Sequence, residues 1–212
     1  HKGSNFCYDN ETPCHNVYLY PFELSNRLVT CGEFWEFVEE GGYQNPAHWL
    51  SEGWSAVQAG SWVAPLYWKQ NTEGKWQVFT LHGEQPLDLN RPVSHVSYFE
   101  AAAFASWAGA RLPREAELEV AFREVETGKS SALQQAFGSC WQWTCSSYDA
   151  YPGFKPFEGA VAEYNGKFMV GQLVLKGSSC ATPDAHSRAS YRNFFPPSAR
   201  WQFSGIRLAR DL

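Results

Sequence analysis

PVSHVSYFEAAAFASWAGARLPREAELEVAF (92–122) holds two of the most legible helices in the chain and the turn between them. Ser97 and Glu100 stand at S-x-x-E spacing. There a side-chain oxygen caps the first turn and a carboxylate returns the bond. The following AAAFASWAG contains several good helix formers, and Gly109 is placed to stop it. A second helix is expected to open at Pro113, a residue favoured in a first turn, and to carry EAELEVAF.

Outward from this pair the pattern changes. Upstream, Thr30 and Glu33 repeat the capping box, Phe34, Phe37 and Val38 share one face, and Gly41 ends the element. Residues 15–24 (HNVYLYPFEL) alternate apolar and polar positions, as a half-buried strand does. From Gly41 to about Pro92, and from Phe137 onward, short β-type runs alternate with Gly, Pro, Asn and Ser turns. Examples are KWQVFTL (75–81), FMVGQLVLKG (168–177) and SGIRLAR (204–210). Two or three helices beside short antiparallel strands and long ordered loops predict an α+β domain rather than a βαβ fold.

With 212 residues, the chain can bury one sizeable core but not two comfortable domains, so residues 1–212 are read as a single domain. Charged residues are 18% and hydrophobic ones 44%, which excludes a disordered chain. A net charge of −5 leaves no electrostatic footprint for nucleic acid or an anionic membrane. No apolar run approaches the length of a membrane span, about 18 residues. The first residues, HKGSNF, carry neither an initiating Met nor an apolar signal core. Such a start is expected of a piece of a longer protein, or of a chain from which a tag was removed. The six cysteines (Cys7, Cys14, Cys31, Cys140, Cys145 and Cys180) form no CxxC pair or zinc-type cluster; buried free thiols and a cytoplasmic location are the expectation.

A search for catalytic constellations finds no HExxH, GxSxG or P-loop. No two of the histidines (His1, His15, His48, His82, His95, His186) sit four residues apart. His95 reads as a structural histidine near a helix start. The cluster that draws a binding reading is YRNFFPPSARWQFSG (191–205). Arg192, Asn193, Arg200 and Gln202 are interleaved there with Tyr191, Phe194, Phe195, Trp201 and Phe203. Guanidinium forks suit carboxylates, an amide donates and accepts, and aromatic faces attract a quaternary ammonium. Taken alone, the same pattern also fits core aromatics with arginines bridging loops. A second, weaker candidate is YPGFKPFEGAVAEYNGKFM (151–169).

RLPREAELEVA (111–121), FGSCWQWT (137–144), LKGSSCAT (175–182) and GIRLAR (205–210), in that order, resemble the signature blocks of the formylglycine-generating-enzyme (sulfatase-modifying factor) superfamily. The resemblance implies a C-type-lectin-like α+β fold. NFCYDNETP (5–13), PFELSNRLVTCGEFWEFVEEGGY (21–43), PVSHVSYFEAAAFASWAGARLP (92–113), YPGFKPFEGAVAEYNGKFM (151–169) and YRNFFPPSARWQFSGIRLARD (191–211) resemble more closely one subfamily, the iron-dependent sulfoxide synthases of ergothioneine biosynthesis. Members of that subfamily use nonheme Fe(II) and O2 to join a cysteine-type thiol to C2 of the imidazole of hercynine, a trimethylhistidine. The iron sits on an N-terminal helical-bundle domain, and the lectin-like domain covers the substrates.

On this resemblance the chain is expected to be the C-terminal, substrate-binding half of such an enzyme. It would bind no metal itself, with Fe(II) held by a domain outside the chain, and catalytic residues are not assigned. Tyr164, Asn165, Asn193, Phe194 and Phe195 are implied on the hercynine side. Arg192, Arg200 and Gln202 are implied as carboxylate contacts or loop supports. The departures are Leu118 in place of the usual Trp, a short segment between Arg123 and Phe137, and Val161 where some synthases carry a catalytic tyrosine. A copper-dependent formylglycine-generating oxidase would need two thiols after the Gly-Ser block. Here Cys180 stands without a second Cys through Ser187. Ovothiol- or selenoneine-type synthase domains, and a stand-alone C-type-lectin-like binding module, remain the alternatives.

Overall fold

Both capping boxes form as the spacing requires. Thr30 Oγ1 accepts from the Glu33 amide at 3.2 Å and Ser97 Oγ from the Glu100 amide at 3.1 Å, while each glutamate returns a bond to its cap residue. They open α1 (Cys31–Glu39) and α3 (Tyr98–Trp107). Past each helix Gly41 (φ 77) and Gly109 (φ 63) take the left-handed backbone conformation that a side chain resists. The computed structural model describes residues 6–159 and 164–212. Among these, five α-helices and nine strands alternate with long loops.

In chain order the other elements are β1 (Phe22–Leu24), α2 (Ser51–Gly60), β2 (Trp68–Gln70), β3 (Trp76–Thr80), β4 (Gly83–Pro86), α4 (Glu115–Glu126), β5 (Trp141–Ser147), α5 (Tyr164–Lys167), β6 (Leu173–Gly177), β7 (Asn193–Phe195), β8 (Ser204–Gly205) and β9 (Ala209–Asp211). The fold is α+β, as the element pattern predicts. The largest sheet runs β7-β6-β5-β8, antiparallel except that β8 joins β5 in parallel. β2-β3-β4 form a separate meander, and β1 pairs with β9. No helix among the described residues is long and apolar enough to cross a membrane.

Several boundaries differ from the sequence expectation. The helix expected at Pro113 starts at Glu115, with Arg114 in the extended conformation of a cap. Residues 15–21 are no strand; Tyr18 and Tyr20 point to solvent and pack on each other, and pairing begins only at Phe22. α2 was hidden among turn residues. It has no side-chain cap, and its Gly53 lies so close to α3 that an added Cβ would meet the Phe99 ring at 2.9 Å. Packing against α3 supplies what local propensity does not.

The core lies between α1, α3 and the large sheet, with Phe34, Phe37, Phe104, Trp143 and Leu175 all buried. Trp143 Nε1 donates to the Val96 carbonyl at 2.9 Å, so the indole costs no orphaned donor. α4 covers the other face of the sheet through Leu118 and Phe122; Leu118 is fully buried in this smaller cluster. Arg207, from GIRLAR, is a clamp. Its Nε donates to Gln142 Oε1 at 2.8 Å, and its other nitrogens donate to the carbonyls of Ser25 and Gln134, each at 2.7 Å. Burial drives its pKa down to about 10, and the carbonyl partners make that burial tolerable. The GIRLAR and WQWT signatures thus meet in the interior as structural partners.

All six cysteines are free. Cys31 and Cys140 alone are buried; Cys14, Cys145 and Cys180 are exposed, so the expectation of buried thiols holds for two. His95 takes a left-handed conformation (φ 61) between the rings of Tyr67 and Phe203, and burial lowers its pKa.

Candidate functional site

β7 runs along the edge of the large sheet, its Phe194 opposite Val174 and its Asn193 opposite Leu175. Strand alternation directs neighbouring side chains to opposite faces. The segment before it, 188–192, is tied to a short 3-10 turn at Asp9–Glu11 by a dense set of polar bonds. Glu11 is buried and pairs with Arg188 (Nε to Oε2, 2.8 Å), accepts from Ser190 Oγ at 2.6 Å and accepts from the Tyr8 amide at 2.9 Å. Burial alone would raise its pKa, but these donors hold it below the usual carboxylate value.

One residue earlier, Asn10 Nδ2 donates to Tyr148 Oη at 2.8 Å and to the Arg192 carbonyl at 3.3 Å. Arg192 Nη1 returns a bond to the Asn10 carbonyl at 3.1 Å. The guanidinium also reaches both Glu115 oxygens, at 2.8 and 3.1 Å, and the Asp149 carbonyl at 3.1 Å. It lies 4.0 Å from the Tyr151 ring centroid and 4.9 Å from that of Tyr148. Every Arg192 nitrogen is therefore engaged inside the protein.

These ties frame a cleft of about 550 Å³ between the 6–10 segment, α5 and β7. Its aromatic wall is continuous. Phe194 stacks on Tyr148 at 4.0 Å and contacts Phe168 at 5.7 Å; Phe168 contacts Tyr164 at 5.1 Å. Tyr191 and Tyr8 meet edge-on at 5.8 Å on the other side. Burial pushes the phenols of Tyr191 on the wall and Tyr148 behind Phe194 up to about 12, so both stay neutral at ordinary pH. The floor is polar. Asp9 Oδ1 accepts from Asn165 Nδ2 at 2.6 Å and from the Asn10 amide at 2.8 Å, and Asp9 forms no ion pair among the described residues.

Six of the eight residues singled out from the sequence line this cleft: Tyr164, Asn165, Arg192, Asn193, Phe194 and Phe195. Arg200 and Gln202 do not. Arg200 Nη2 pairs with Glu100 at 2.7 Å, donates to the Ala64 carbonyl at 2.5 Å and covers the Trp62 ring, anchoring the loop to the start of α3. Glu100 is buried with it and also accepts from Tyr43 Oη at 2.5 Å. Gln202 is buried, and neither polar atom of its side chain has a partner among the described residues. Val161 lies outside the described residues. Sequence reading assigned no role to Asp9, Asn10, Tyr8 and Phe168; the first three stand in the block NFCYDNETP, whose distance along the chain concealed their place beside β7.

An electron-rich wall suits a cation, and the Asp9 carboxylate near it has no ion pair among the described residues. A second cavity, of about 420 Å³, lies between residues 13–19 and α4, but Glu115 and Glu119 on its wall are already paired to Arg192 and Lys176.

The profile of the sulfatase-modifying factor enzyme 1-like domain matches residues 1–135 and 129–212. A hercynine oxygenase of Mycobacterium tuberculosis is 34% identical over 96% of this chain and 56% of its own length. The ergothioneine biosynthesis protein 1 of Schizosaccharomyces pombe is 26% identical over 97% of this chain and 28% of its own. The chain thus spans little more than half the bacterial relative. Among solved structures, PvdO from Pseudomonas aeruginosa shares the fold at a TM-score of 0.51 and 17% identity, over 96% of this chain and 86% of that one.

Proposed function

The chain belongs to the sulfatase-modifying factor enzyme 1-like family, and from that premise we propose that it is the substrate-facing domain of a sulfoxide synthase of ergothioneine biosynthesis. The observation that carries this reading is the cleft, where the rings of Phe194, Phe168 and Tyr164 stand together beside Asn193. Relatives named for hercynine oxygenation and for ergothioneine biosynthesis support it.

Hercynine is a betaine, with a trimethylammonium and a carboxylate on one small molecule. Phe194, Phe168 and Tyr164 offer the faces a trimethylammonium prefers. Asn193 spends its Oδ1 on the Phe194 amide at 3.0 Å, which leaves Nδ2 as a donor for the substrate's polar end. Phe195, in edge contact with Trp201 at 5.2 Å, extends the wall. Arg192 acts as a support, since Glu115 already fills its fork.

The reaction joins the sulfur of a cysteine-type thiol to C2 of the imidazole. One atom of O2 ends in the sulfoxide, and the other leaves as water with the thiol and C2 hydrogens. Iron(II) supplies the O2 chemistry when bound. Among the described residues no three His, Cys, Asp or Glu side chains are grouped to hold a metal ion, so these residues do not fit an iron site. In this reading the iron is held by a helical-bundle domain outside residues 1–212. The test is to incubate the complete protein with Fe(II), O2, hercynine and L-cysteine and look for the sulfoxide by mass spectrometry. If hercynine returns unchanged with every cysteine-type thiol tried, the reading is wrong.

A further inference from the structure

The floor of the cleft holds two oxygen atoms that accept no hydrogen bond among the described residues. Asp9 is 4% exposed and Asn10 3%, and both line the cleft. Asp9 spends Oδ1 on Asn165 Nδ2 and the Asn10 amide, and its Oδ2 takes no hydrogen bond among the described residues. Asn10 Oδ1 is buried with no partner among them. The orientation of that amide is settled by its other end. Nδ2 donates to Tyr148 Oη and to the Arg192 carbonyl, and the carbonyl would reject an oxygen in its place. The corner is thus an acceptor pair, one member of it charged.

The two cationic side chains of the adjoining 188–192 segment are already committed, Arg188 to Glu11 and Arg192 to Glu115. Asn10 Oδ1 is a buried acceptor, costly to leave without a donor, and Asp9 Oδ2 beside it is open to a donor, so the two call for a ligand that brings N–H groups. A trimethylammonium has none; a primary ammonium has three and a full charge. We infer that Asp9 and Asn10 form a subsite for a primary ammonium group, the α-amino group of the thiol co-substrate, distinct from the aromatic wall that takes the methylated cation. The inference rests on the reading of the cleft given above and assigns the two substrates to chemically different ends of it. It makes the enzyme selective for an amino-acid thiol over a thiol acid of the same length.

The test pairs binding with turnover in the complete protein. L-Cysteine and 3-mercaptopropionate, which lacks only the amine, are titrated by calorimetry against wild type and Asp9→Asn, and sulfoxide formation is followed with both thiols. The asparagine keeps an oxygen for Asn165 and puts an N–H2 in place of the Oδ2 that would accept from the ammonium. Wild type should bind L-cysteine about tenfold or more tightly than 3-mercaptopropionate, the scale of a charge-assisted hydrogen bond. Asp9→Asn should erase that preference through the cysteine KM, with the hercynine KM unchanged within about twofold. Equal binding of the two thiols by wild type, a comparison that needs no variant, would overturn the subsite. So would an Asp9→Asn protein whose hercynine KM rises instead, because the carboxylate would then serve the methylated cation. Asp9-dependent cysteine binding without sulfoxide formation would leave the subsite standing and remove the proposed reaction. Sulfoxide formation indifferent to Asp9 would do the reverse.

Discussion

Replacing Arg192 with Met separates a support from a ligand contact. The wild-type side chain is 1% exposed and faces a Glu115 side chain only 14% exposed, through bonds of 2.8 and 3.1 Å. Met retains most of the apolar stem but removes the charge, leaving Glu115 with one weak donor, Tyr151 Oη at 3.3 Å. It also strips the donors from the carbonyls of Asn10 and Asp149. Breaking one half of such a buried pair costs about 3–5 kcal/mol, chiefly the cost of the carboxylate left behind. For a chain of this size that is a fall in Tm of roughly 6–20 °C. Urea denaturation of Arg192→Met, Glu115→Leu and the double variant would measure it. The double variant should recover part of the loss, since no stranded charge remains. Below the unfolding transition, Arg192→Met protein should keep its hercynine affinity within a few fold. A loss of stability under about 1 kcal/mol together with a tenfold rise in KM would refute the reasoning and return Arg192 to the substrate.

Asn193→Ala in the complete enzyme should raise the hercynine KM, or lower kcat/KM, by about tenfold or more, from a lost hydrogen bond of roughly 1–3 kcal/mol; unchanged steady-state kinetics would take Asn193 out of the site. Glu11 has a folded pKa below its unfolded value of 4.5, so its stabilisation is full above 4.5 and is lost as pH falls through the lower folded value. Thermal melts of wild type should therefore lose stability below about pH 4.5, and Glu11→Gln should be less stable at neutral pH with a flatter acid limb; parallel curves would contradict this. Burial pushes the Cys31 and Cys140 thiols up to about 12, so iodoacetamide on folded protein should label exposed Cys14 and Cys180 first. Mass mapping that finds Cys31 or Cys140 labelled as fast would show that the core opens.

Several features were legible in the residues because the physics that makes them is local. Thr30–Glu33 and Ser97–Glu100 close capping boxes within one turn, and Gly41 and Gly109 answer a backbone demand at their own positions. The clustering of aromatics and amides in 191–195 marked one wall of the cleft for the same reason. What resisted reading was whatever depends on a distant partner. α2 forms because Gly53 fits against Phe99, and residues 15–21 stay unpaired although they alternate like a strand. Arg192 and Arg200 look identical in sequence as carboxylate forks, yet Glu115 and Glu100 had occupied both before any ligand arrives. Asp9 and Asn10 stand more than 150 residues from Asn165 and Arg192 in the chain; only folding brings them onto one floor, where Asn10 Oδ1 is left without a partner among the described residues. Local rules wrote the helices and the aromatic wall, and the charge balance of the cleft belongs to tertiary structure, since a side chain's availability depends on which long-range partner reaches it first.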